Sequence, residues 1–95
     1  MKGHHMLTFE INPDREVVEV HADSAGLAYL IEQLTWLKQK VDQGECEHIH
    51  LMTPDWGGSG LSSDPQNVSG KFSVVHHVKI LGWTQDWKEK GFREG

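Results

Sequence analysis

The sequence predicts an α+β fold: a two-layer sandwich, with one helix packed on one face of a four-stranded, mostly antiparallel sheet in the order β-β-α-β-β. Three observations carry this. Four short segments, within 7–11, 16–22, 45–52 and 72–83, alternate side-chain character at period two, as strands with distinct faces do. Between the second and third, Leu27, Leu30, Ile31, Leu34, Leu37 and Val41 recur at spacings of three and four, the stripe of a core-facing helix. The chain has 95 residues, enough for one small core, and neither a repeat nor a compositional shift marks a second domain.

The elements follow in order. Residues 1–6, with His4, His5 and a second methionine at Met6, read as an expression remnant or a flexible start, outside the domain spanning 7–84. Leu7, Phe9 and Ile11 alternate with Thr8, Glu10 and Asn12 in the first strand. Asn12-Pro13-Asp14-Arg15 is turn chemistry, so Glu16 to Ala22 returns as the second strand of an antiparallel hairpin. Asp23 or Ser24 supplies the helix cap, and Gly44 the stop. Trp36 flanks the stripe and reads as an edge-packing residue. Glu45 to Met52 is the third strand. Ser59 to Lys71, rich in Ser, Gly, Asp, Asn and Pro, reads as a long exposed loop. Phe72 to Trp83 is the fourth strand, and 85–95 is a polar tail carrying Trp87 and Phe92.

One helix covers one sheet face. Placing Leu7, Phe9, Ile11, Val18, Val20, Ile49, Leu51, Val74, Val78 and Ile80 under it leaves the other face to Glu10, Glu19, His21, His48, His50, Met52, Val75, His77, Lys79 and Leu81. That mixed surface suits contact with another chain. His76 falls on the inner side and reads as a hydrogen-bonded core histidine.

Composition narrows the function. The formal charge of −5 argues against a nucleic-acid partner, which selects for clustered lysine and arginine. It suits a basic protein partner, whose approach acidic character accelerates. No apolar run approaches the roughly 20 residues that span a bilayer, and the start lacks a secretory core segment; a cytoplasmic location is expected. A single cysteine, Cys46, makes no internal disulfide.

The stretch His48 to Leu61 carries the candidate site. His48 and His50 project to one side of a strand that runs into Thr53-Pro54, then Asp55, Trp56 and a glycine-rich loop. His77 joins that side from the fourth strand. Two imidazoles and a third from a neighbouring strand could ligate zinc, with Asp55, Glu10 or Glu19 nearby; histidines that exchange hydrogen bonds at an interface are the simpler reading. No nucleophile elbow or phosphate loop is present. Trp56 is either the anchor of a contact surface or a lid on the core.

The segment His48-Ile-His-Leu-Met-Thr-Pro-Asp-Trp-Gly-Gly-Ser-Gly-Leu61, followed by Val75-His-His-Val-Lys-Ile-Leu-Gly-Trp83, resembles the Imm32-type bacterial immunity protein family of polymorphic toxin systems. The likeness is sharpest at His50, Leu51, Trp56, Gly57, Gly58, Leu61, His77, Lys79 and Ile80. It implies a small cytoplasmic α+β protein that binds and neutralises a cognate toxin and needs no cofactor or catalytic residues. On that expectation His48, His50, Asp55, Trp56, Leu61 and His77 are the partner-binding residues. Two further readings are a small metal-dependent enzyme using His48, His50 and His77, and a homodimeric module joined through the open sheet face.

Overall fold

The computed structural model describes residues 5–85, so most of the expected tail lies outside the described residues. The elements are β1 (Leu7–Ile11), β2 (Val18–Ala22), α1 (Ser24–Asp42), β3 (Glu47–Met52), a single 3-10 turn (Pro54–Trp56), β4 (Ser73–Val74) and β5 (His77–Gly82). The α+β class is as the sequence predicts. The single four-stranded sheet is not: there are two antiparallel sheets, β2-β1-β4 and β3-β5.

The division has a local cause. Ser73 and Val74 pair with Ile11 and Glu10 of β1, so Val74 shares Glu10's face and not the helix side expected for it. From His77 onward the chain pairs with β3 instead, His77 opposite Met52 and Val78 opposite Leu51. Alternation would put residues 74 and 77 on opposite faces; both instead share the face away from the helix. The one-residue slip between them turns the expected fourth strand into two, because a shift of one inverts every later side chain. The sheets remain stitched: the Val75 amide bonds the Phe9 carbonyl at 2.8 Å and the Thr53 amide bonds the His76 carbonyl at 3.0 Å. Residues 61 and 62 bridge the other gap, with Leu61 N–H to the Met52 carbonyl (3.0 Å) and Ser62 N–H to the Leu7 carbonyl (2.8 Å).

The hairpin forms as its turn dictates. The Asn12 side-chain oxygen accepts the amides of Glu16 and Val17 at 2.8 and 3.0 Å, and Arg15 takes the positive φ (62°) that tightens the reversal. Asp23 caps α1, its carboxylate accepting the Gly26 amide at 2.7 Å and the Met6 amide at 3.1 Å. Met6, expected outside the domain, is therefore tied into it. His5 likewise stacks on Tyr29 with ring centroids 4.6 Å apart. At the other end, the Gly44 amide closes onto the Val41 carbonyl at 2.9 Å.

Leu7, Leu37, Ile49, Leu51 and Leu61 form the buried core, with Phe9, Ala22, Tyr29, Leu30, Val78 and Ile80 packed around it. The helix lies over β3 and β5 and is rotated from the expected stripe. Leu37 is buried and Leu30 and Val41 are half-buried, but Leu27, Ile31 and Leu34 are 51%, 62% and 41% exposed. Glu32, Gln33 and Trp36 turn toward β3, where they line a cleft of about 370 Å³ with His48, Ile49 and His50. At 100° per residue, Leu27, Ile31 and Leu34 fall on the flank opposite Glu32 and Trp36, which is largely exposed. Trp36 is 42% exposed, with the Lys40 ammonium 5.6 Å from its ring centre. Among the described residues, no helix is long and apolar enough to cross a membrane.

The loop over 59–71 is exposed along most of its length, as expected, but residues 66 and 67 are tied down against β1 and β2. Glu10, 0% exposed, holds it: its carboxylate accepts the Gln66 amide at 2.9 Å and the Asn67 amide at 3.1 Å, besides the Thr8 hydroxyl at 2.5 Å. Burial pushes the Glu10 pKa up, but these three donors and nearby His21 outweigh it, and the carboxyl sits below its ordinary range. The face away from the helix is thus covered under β1 and open under β3 and β5.

Candidate histidine and tryptophan surface

The pleat explains which side chains meet on the open face. Pairing of His48 with Leu81, His50 with Lys79 and Met52 with His77 sets all six on one side, while Ile49, Leu51, Val78 and Ile80 enter the core on the other. His50 and His77 are diagonal neighbours across the two strands, close enough for long side chains to touch. They do: His50 Nδ1 lies 2.7 Å from His77 Nε2. His48 meets His50 edge to face at 4.8 Å between ring centres. The sequence expectation that these three share a surface holds.

A hydrogen bond between two imidazoles needs one donor and one acceptor nitrogen, so the touching atoms carry a single proton between them. Desolvation by its neighbours holds the His50 pKa below its ordinary value, and His48, His77 and Lys79 add like-charge repulsion. This favours the neutral form of His50. The pair is also turned inward on itself. Among the described residues, no group of three or more histidine, cysteine, aspartate or glutamate side chains is placed to hold a metal ion.

Trp56 stands on the turn that follows β3. Pro54 starts the turn, and Gly57, at φ 86°, ends it in a left-handed conformation that glycine takes without strain. The indole is 59% exposed, so it is not a lid on the core. It lies nearly parallel to His76, 6.2 Å between ring centres, and tilted over His77 at 6.1 Å. His76 is itself fixed by a 2.7 Å hydrogen bond between Nδ1 and the hydroxyl of the fully buried Thr53. Asp55 is exposed beside Trp56 and accepts the Ser63 hydroxyl at 2.7 Å. An indole, three clustered imidazoles and a carboxylate are thus presented together on rigid strand ends.

Leu61 does not belong to that surface. It is 3% exposed and packs in the core, so its part is to hold the loop from beneath. Two residues are only partly legible in the sequence. His76, expected as a hydrogen-bonded core histidine, does bond the buried Thr53, but it is only half-buried and its ring also stacks against Trp56. Glu10 was placed on the open face, yet it anchors a loop. Its one signal was a carboxylate two residues from a threonine on the same face, Thr8.

The family described as Immunity protein 32 matches residues 17–78, well over half of the chain. The match takes in β2, the helix, β3, the Trp56 turn and the start of β5. No curated protein and no solved structure matches the chain.

Proposed function

The chain belongs to the Immunity protein 32 family, and we propose on that basis that it binds and neutralises a cognate bacterial toxin of a polymorphic toxin system by non-covalent contact. It acts in the cytoplasm as a binding protein without catalysis, covering the toxin's active site or holding it in an inactive arrangement. The contact residues are His48, His50, Asp55, Trp56 and His77, with Leu61 supporting them from the core.

One observation carries this reading. Trp56 is mostly exposed, yet held on a His76–Thr53 support beside three imidazoles. A large, pre-positioned aromatic loses little conformational freedom on binding, and such residues dominate interface energies. The −5 charge suits a basic toxin surface.

The experiment is a titration of wild type and Trp56→Ala against the toxin encoded beside this gene. Truncation should weaken binding by about 2 kcal/mol or more, roughly 30-fold, while the thermal midpoint stays close to wild type because the indole is exposed. Equal affinity of the two proteins would remove Trp56 from the interface.

A further inference from the structure

We propose that two copies of this chain pair through the free edge of β2, antiparallel and centred on Val20, to make a symmetric dimer with a continuous sheet. This goes beyond toxin binding and does not depend on it.

The ladder between β1 and β2 fixes which backbone groups are free. The Asn12 amide bonds the Val17 carbonyl at 3.2 Å at one end, and the Asp23 amide bonds the Met6 carbonyl at 3.1 Å at the other. Bonded and non-bonded pairs alternate along an antiparallel ladder. With Thr8 opposite His21 and Glu10 opposite Glu19 as the bonded pairs, Val18, Val20 and Ala22 point their N–H and C=O groups away from β1. Among the described residues, none bonds to them there. The strand, Val-Glu-Val-His-Ala, has no proline or lysine, devices that ordinarily guard an edge.

The side chains choose the occupant. A two-fold axis at Val20 sets Val20 opposite its own copy and Val18 opposite Ala22 of the second copy. It also sets Glu19 opposite His21 of the second copy. Within one chain Glu19 and His21 already pair at 2.8 Å, so the four groups alternate across the axis. On the helix side, Val18 and Val20, 57% and 48% exposed, gain cross-strand neighbours. Six backbone hydrogen bonds and an isologous apolar contact result, which is the self-complementarity a two-fold requires. The edges of the two-stranded sheet are less suited: at β3 like imidazoles of His48 and His50 would meet, beside the cleft formed with Glu32, Gln33 and Trp36, and β5 carries Lys79, a residue that guards an edge. In the β2-paired dimer both helices lie on one side, and both Trp56 surfaces lie on the other.

The test is sedimentation equilibrium of the full chain over a wide concentration range, with two variants. Val20→Lys sets two ammonium groups together on the axis, and should raise the dimer dissociation constant at least about 100-fold, since like charges facing one another cost several kcal/mol. Its circular dichroism at low concentration should match wild type. Val20→Cys in a Cys46→Ser background should form a disulfide-linked dimer under mild oxidation, because bonded antiparallel pairs sit about 5.5 Å apart at Cα, within disulfide reach; Val17→Cys in the same background should not. A wild-type mass of one chain at every concentration up to about 1 mM overturns the proposal. So does a dimer that Val20→Lys leaves intact, or one that Val20→Cys fails to link.

Discussion

At the scale of single residues, Glu10 shows how burial and ionisation are reconciled. A lone carboxylate out of water is costly. Here it remains ionised because the Thr8 hydroxyl and the Gln66 and Asn67 amides aim at it. Glu10→Gln keeps the shape but replaces a charged acceptor with a neutral one, and it sets an amide donor among donors. About 2 kcal/mol of stability should be lost at neutral pH. The pH dependence has a definite sign. A carboxyl whose folded pKa is lowered contributes stability that is present above its unfolded value, near 4.3, and lost as pH falls through its folded value. Chemical denaturation of both proteins from pH 7 to pH 3 should therefore show the gap narrowing below about pH 4.3. A constant gap would mean that packing, and not charge, separates them. The alternating pattern of β1 placed Glu10 on the correct face. It could not show that residues 66 and 67 return to cover that face, because nothing local to the strand encodes a contact 56 residues away.

At the scale of elements, the helix start shows a conflict between propensity and packing. Gly26 lies in the first turn of α1, where alanine would ordinarily gain up to about 1 kcal/mol. A β-carbon there would sit 2.0 Å from the Met6 carbonyl oxygen and 3.3 Å from the Ala22 side chain. The obstacle is backbone, held by reciprocal bonds between Met6 and Asp23. Gly26→Ala should thus destabilise by about 1–3 kcal/mol, read as a lower denaturant midpoint with an unchanged slope. A more stable variant would show that the 5–6 segment moves aside freely. The hairpin, a cap at Asp23 or Ser24 and the helix length are legible in the sequence because each rests on local chemistry: Asn12 in the turn, a side-chain oxygen at the helix start, Gly44 after it; the structure selects Asp23 as the cap. The break in the last strand is not. Phe72 to Trp83 alternates without interruption on paper, and only the competing partners, β1 before and β3 after, impose the slip near His76.

At the scale of the whole molecule, the decisive fact is that the helix is displaced along the sheet layer. It sits over β3 and β5, so the apolar stripe read from the sequence divides between core and solvent. Spacing tells which residues share a helix flank, but rotation depends on where the underlying strands lie, and that is a long-range quantity. The same displacement explains the candidate surface: the strands carrying His48, His50 and His77 are braced by the helix on one side, and the loop anchored at Glu10 stops short of covering the other. Two substitutions on the helix separate this arrangement from the symmetric packing expected from the stripe. Leu37→Ala, at a 5% exposed site beneath the helix, should cost about 2–4 kcal/mol in lost burial and cavity. Ile31→Lys, at a 62% exposed site six residues earlier, should change stability by no more than about 0.5 kcal/mol in the monomer. Urea unfolding of both at low protein concentration decides the matter. If Ile31→Lys costs as much as Leu37→Ala, the helix rolls further toward β1 and β2, and the bracing of the histidine-bearing strands must be shared with the rest of the layer.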